Sequence, residues 1–422
     1  MDIFEPTEQT LDMNFESWLF RTKTDIVKET MSPEQLKFEV ETEMRQAKAL
    51  SVEQRTLYEK WCEIQRRKNY ETSMSQNDLF GNNTSPIEEL KNKLWYLKSL
   101  DDYQTIRPIL IKSDKDWELM RCYCSSFVNN GFVGRNLKYV VMDKTTEKYL
   151  GLLCVGSDFL VMGARDKYIG WTTENRTKDK TINHTGIGAV IIPTQPFGYL
   201  FTGGKLLALL ICSDQVRNDW LNKYGDLLVG MTTTSLYGSF SQYSGLKYWK
   251  NVGETLGTQM IFTPSPELRK KIDNYMELNY PRVYWEYTKA TALGGSQPLH
   301  NLPKTRFLMI ALKKLGVDMD ISVQGYHRGI FFNEFYTNTR EFLRKEITEK
   351  ELILKYQASA EILTDLWKTK YASKRVNSLR DKTDLDYTPL CYSDLKTMTW
   401  NETEHAYLHK LGNERNQKKE GV

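Results

Sequence analysis

Two apolar runs, LKYVVMD at 137–143 and KYLGLLCVGS at 148–157, are separated only by KTTE. Short runs rich in Val, Leu and Tyr, joined by a brief polar connection, predict a β-hairpin. The hairpin limits what the next hundred residues can build. GAVIIPTQP (188–196) predicts another strand, stopped by Pro193 and Pro196, because proline lacks the N–H that a central strand donates. GGKLLALLICSDQVRNDWLNKYG (203–225) predicts an apolar helix with Gly225 at its C-terminal cap, and DLLVGMTTTSLYG (226–238) a further strand. This order predicts an α/β (α+β) domain with a mixed central sheet over residues 105–275.

The flanks follow the helical period instead. Ser32-Pro33-Glu34 is a helix start, and SVEQRTLYEKWCEIQRRK carries Val52, Leu57, Tyr58, Trp61 and Ile64 near helical spacing, so 32–70 reads as helix. Residues 69–86 read as a polar linker and 85–100 as a second helix, making 1–104 mostly helical. The region 276–422 reads as mixed and mainly helical. It comprises an amphipathic helix in TRFLMIALKKLG, a hairpin in ISVQGYHRGIFF about Gly325, a long charged helical stretch over 336–375 and a polar, frayed tail.

Composition excludes several classes. No apolar run reaches the ~18 residues of a membrane span, and the acidic N-terminus has no apolar signal core, so neither insertion nor export is expected. The six cysteines form no regular frame and read as reduced thiols in a cytoplasmic protein. His405 and His409 lie in HAYLH, which lacks the Glu of a metalloprotease helix, so no metal site is expected. The net charge of +4, from 58 basic and 54 acidic residues, says little about partners. Local charge says more: KTKYASKRVNSLRDK (368–382) sets six cations, Lys374 and Arg375 among them, against Asp381. It is either a solvated helix face or a phosphate-binding stripe. The 24 tyrosines and 10 tryptophans supply core and also surfaces on which bases can stack.

Two stretches could carry chemistry. ARDKYIGWTTENR (164–176) concentrates Arg165, Asp166, Trp171, Asn175 and Arg176, either as an ion-pair brace around buried aromatics or as a ligand wall. FTGGKLL (201–207) is not a phosphate-binding P-loop, since Leu206 stands where a Ser or Thr would be needed. Gly203, Gly204 and Lys205 nevertheless open a helix, where free N–H groups favour an anion; the alternative is that the glycines only turn the chain.

GFVGRNLKYVVM (131–142), YLGLLCVGSDF (149–159), ARDKYIGW (164–171), IIP (191–193), DWLNKYG (219–225) and YWKNVGETLG (248–257) occur in an order that resembles the DruA family, components of Druantia anti-phage systems with similar proteins in phages and beside mobile elements. Where that family shows an Asn-Asn-Ser-Arg-type run, INHTGIGAVIIP keeps Asn183 and Pro193 but has Gly188 in the Arg position. The strand–loop–helix at 188–210 is similar, more loosely, to the Gcn5-related acyltransferase fold, shared by the Mom DNA-modification protein. That likeness implies a coenzyme A-type cofactor at Gly203, Gly204 and Lys205. The resemblances imply a phage or mobile-element protein acting on DNA, double- or single-stranded, by base modification or strand processing. The alternative is a non-catalytic DNA-binding component of a defence complex. Arg135, Arg165, Trp171, Asn175, Arg176, Lys374 and Arg375 would contact nucleic acid, and Asp166, Glu254 and Tyr248 would be catalytic. Tyr139 and Tyr243 are further candidates if a tyrosine attacks the strand.

Overall fold

In the computed structural model the β-hairpin is the centre of a seven-stranded sheet. The structure describes residues 32–76, 86–96, 98–128, 134–236, 241–255, 259–292, 304–325, 327–382, 385 and 387–411. The chain divides into two compact units, one formed by residues up to Arg55 with Gln259–Gln324, the other by Thr56–Thr258 with Gly325 onward.

The larger unit holds strands β1 (Pro108–Ile111), β2 (Asn136–Asp143), β3 (Lys148–Ser157), β4 (Thr185–Pro193), β5 (Gly230–Thr234), β6 (Trp249–Glu254) and β9 (Gly329–Glu334), in the order β1-β2-β3-β4-β5-β9-β6. Every neighbouring pair is antiparallel except β4 and β5. Both faces are covered, which explains the nearly continuous apolar runs of the hairpin. On β2, Leu137, Tyr139 and Val141 enter one core cluster and Val140 the other. On β3, Leu150, Leu153 and Val155 face the first and Leu152 and Cys154 the second. The parallel β4–β5 pair is short, three residues on each strand. Beyond it, side chains fill the gap: Thr233 Oγ1 donates to Gly188 O (2.9 Å) and Gln242 Nε2 to Ile191 O (3.1 Å).

Several sequence expectations need correction. The helix expected over 203–225 is two, Gly203–Leu210 and Asp214–Tyr224, because Ser213 restarts the chain in extended conformation; Gly225 caps the second at φ 74°. The helix expected over 32–70 is also two, Pro33–Ala49 and Val52–Gln76. Ser51 and Gln54 exchange hydrogen bonds there (2.8 and 3.1 Å), a capping box written in the sequence as SVEQ. The second of these helices also takes in 69–76 of the expected linker; 77–85 lie outside the described residues, as do the N-terminus to residue 31 and the tail beyond 411. The charged stretch 336–375 is broken into Thr339–Leu343, Ala360–Trp367 and Ser373–Asn377 with irregular chain or a π-turn between. The hairpin about Gly325 does not form. β8 (Ser322–Gln324) pairs with β7 (Gln259–Ile261), whereas β9 lies between β5 and β6.

The smaller unit packs the helices Pro33–Ala49, Pro266–Asn279 and Lys304–Lys314 with the β7–β8 ribbon. Leu36, Val40 and Met44 recur every fourth residue and meet Leu268, Ile272, Met276 and Phe307 in its core.

Candidate functional site

Two of the singled-out motifs meet at the edge strand β6. Gly253, in YWKNVGETLG, has φ 146°, and a Cβ there would lie 2.7 Å from Cβ of Ala164 in ARDKYIGW. Only glycine lets the short Gly163–Ile169 helix sit this close to the strand. The approach places Tyr168 of the helix beside Lys250 of the strand, whose Nζ is 4.6 Å from the ring centre.

Around them opens a cavity of about 260 Å³ lined by Tyr168, Tyr248, Lys250, Phe332, Glu334, Arg340 and Lys355. Glu334, at the end of β9, is its hub. Its Oε1 accepts from Tyr168 Oη (2.9 Å) and faces Arg340 Nε (3.0 Å), and its Oε2 accepts from Lys355 Nζ (2.8 Å). The Arg340 guanidinium also stands 5.1 Å from the Tyr168 ring centre, so two cations lie near that ring. Burial first, and the bond to Glu334 second, push the Tyr168 phenol up to about 12. Three cations against one carboxylate leave the cleft with an excess of two positive charges. Lys250 is exposed and has no carboxylate at ion-pair distance among the described residues. At the rim, Tyr248 lies flat on Tyr356, with centroids 3.7 Å apart and planes at 7°. Its φ of 76° is a conformation bulky residues rarely hold, at a cost on the order of 1–3 kcal/mol.

Of the residues singled out in the sequence, Tyr248 lies in this cleft; most of the others are engaged elsewhere. Arg165 is fully buried. Its Nη1 pairs with Asp158 at 2.5 Å, its Nη2 with Asp166 at 2.6 Å, and its guanidinium covers the Trp171 ring at 5.0 Å. Asp158 is held by Thr232 of β5 (2.7 Å), and burial raises its carboxyl above the usual range. Arg176 closes the network on Asp166 Oδ2 at 2.6 Å, Trp171 donates to Leu343 O at 2.9 Å, and Asn175 ties its turn to Thr172. Arg165, Asp166, Trp171, Asn175 and Arg176 therefore brace the helix that presents Tyr168. Arg135 is paired with Asp226, Tyr139 is buried against Asp219 at 2.7 Å, and Tyr243 is buried. Glu254 is exposed at the end of β6. In the basic stretch, Lys368, Arg375 and Arg380 bond to Gln104 O, Tyr199 O and Asp101, while Lys374 is exposed.

The helix start at Gly203 does not fit a coenzyme A pyrophosphate. A Cβ on Gly203 would fall 2.3 Å from the Phe197 ring and one on Gly204 2.0 Å from Gln242 Oε1. Lys205 Nζ is spent on Gln242 O (3.0 Å) and Ser244 O (2.6 Å). The glycines serve close packing, and the chain's own 241–246 segment stands where a cofactor would approach.

Sequence reading missed Tyr168 as a site residue, along with Lys250, Glu334, Arg340 and Lys355. The local signs were the positions of Tyr168 inside ARDKYIGW and Lys250 inside YWKNVGETLG; Glu334, Arg340 and Lys355 come from a strand, a short helix and a loop far away in sequence.

A family model described as Druantia protein DruA matches residues 53–345. The chain is 28% identical over 242 residues to the Druantia protein DruA of Escherichia coli (strain UMEA 4076-1), a match covering 53% of this chain and 57% of that one. It thus spans little more than half the relative's length. No solved structure matches. The matched segment includes all seven strands of the main sheet and every cleft residue except Lys355, and on that extent the chain belongs to the DruA family.

Proposed function

We propose that this chain is the nucleic-acid-handling member of a Druantia anti-phage defence system, acting with partner proteins, and that the Tyr168–Glu334 cleft receives a phosphodiester strand. The observation that carries the reading is the surplus of cations around one carboxylate, with Lys250 exposed and unpaired by any acid among the described residues. Cations at this spacing attract phosphate, and a rim tyrosine offers a stacking face, a combination suited to single strands. The strand order, with its one parallel β4–β5 pair, supports an acyltransferase-like scaffold. The blocked Gly203–Gly204 helix start favours strand processing or binding over cofactor-dependent base modification.

The test is fluorescence anisotropy with a labelled single-stranded oligonucleotide. Lys250→Gln is expected to weaken binding about tenfold, ~1.4 kcal/mol, without lowering the melting temperature. Equal affinity in wild type and variant would remove the cleft from the interface. Tight binding with no change to the strand would leave the chain a non-catalytic DNA-binding component.

A further inference from the structure

We infer that Tyr168 is a nucleophile for phosphoryl transfer, with Glu334 as its base; the inference rests on the cleft being a phosphodiester site. A nucleophilic hydroxyl is recognised by a base within hydrogen-bond reach and by a third group that orients the base. Here Tyr168 Oη lies 2.9 Å from Glu334 Oε1, and Lys355 (2.8 Å) and Arg340 (3.0 Å) hold that carboxylate in place. The ring also packs at a steep angle against Phe332, 6.1 Å between centroids, and this contact together with the bond to Glu334 orients the hydroxyl. The buried ion pairs of Arg165 with Asp158 and Asp166 gain a purpose: they lock the seven-residue helix that carries the nucleophile. Tyr139 also bonds a carboxylate held by a lysine, Asp219 with Lys112, but its ring is enclosed in the core, and Tyr243 is enclosed as well.

In the step, Tyr168 Oη attacks phosphorus and the P–O bond to the tyrosine forms as the bond from phosphorus to the 5′-oxygen of the next nucleotide breaks. The phenolic proton passes to Glu334 Oε1, and the departing 5′-oxygen takes a proton from the Lys250 ammonium. The products are a 3′-phosphotyrosyl strand and a free 5′-hydroxyl strand, and attack by a 5′-hydroxyl reverses the exchange. Because the phenol is protonated in the resting cleft, proton transfer accompanies attack instead of preceding it. Arg340 and Lys250, 5.1 and 4.6 Å from the ring centre, are near enough to offset the negative charge that the transition state adds.

The test uses the full chain and a labelled single-stranded oligonucleotide with one 5′-bridging phosphorothiolate, whose thiolate leaves without a proton and does not reattack. Wild-type protein is expected to form a denaturant-stable adduct, and peptide mapping to place it on Tyr168, a readout independent of how any variant folds. Tyr168→Phe should form no adduct with the same oligonucleotide, and Glu334→Gln should slow adduct formation at least tenfold. Binding by wild type without an adduct, or an adduct on any other residue, overturns the inference while leaving the cleft as a binding site. Failure of wild type to bind the oligonucleotide at low salt overturns the cleft reading and this inference with it.

Discussion

At the scale of single residues, burial separates brace from site. Arg165 and Tyr168 are three positions apart, yet the arginine is enclosed between two carboxylates while the tyrosine lines an open cavity. Removing one partner of a buried ion pair strands the other, so Arg165→Met should cost about 3–5 kcal/mol of stability, read by chemical denaturation. Oligonucleotide affinity per folded molecule should be unchanged. An intact unfolding transition with lost binding would make the segment a ligand wall after all. Tyr168 has a folded value near 12, above the ~10 of an unfolded tyrosine. The stability held by its protonated phenol is therefore complete below pH ~10 and lost as pH rises from there toward 12. A difference titration at the phenolate absorption band, wild type minus Tyr168→Phe, should show one tyrosine ionising near 12; a midpoint at the ordinary value would mean that the phenol is neither buried nor bonded to Glu334.

At the scale of elements, local signals were legible where local physics decides. The β2–β3 hairpin, the strand ending at Pro193 and the cap at Gly225 follow from alternation, proline and glycine. What failed was continuity. Ser51-x-x-Gln54 and Ser213 each start a new helix inside a run whose apolar period continues, and period alone does not reveal the break. The Gly203–Gly204 pair was legible as a helix start, but its neighbours Phe197 and Gln242 are not adjacent in sequence, so its role in packing was not. Gly203→Ala should gain about 1 kcal/mol of helix propensity and lose more, on the order of 1–3 kcal/mol, to overpacking against Phe197. Net destabilisation in a denaturant melt is the expected result. Net stabilisation would mean that the helix start is open, as an anion site there requires.

At the scale of the whole molecule, the two units interleave along the chain, and this is why the cleft was invisible in the sequence. β9 reaches the main sheet only after the chain has passed through the smaller unit, so Glu334 comes to Tyr168 across 166 positions. Gly325, read as the apex of a hairpin, is where the chain passes from one unit to the other. The basic stretch at 368–382, the most visible charge signal, ties three of its cations to the body of the protein. The cleft, less conspicuous in composition, combines cations with a positioned tyrosine. The most direct measurement is the salt dependence of single-stranded oligonucleotide binding for wild type, Lys250→Gln and Lys374→Gln. Each phosphate contact contributes about −0.7 to the slope of log affinity against log salt. A phosphate contact at Lys250 predicts a slope shallower by about that amount for Lys250→Gln and unchanged for Lys374→Gln. A slope unaltered by Lys250→Gln, or a wild-type affinity indifferent to salt, would contradict it.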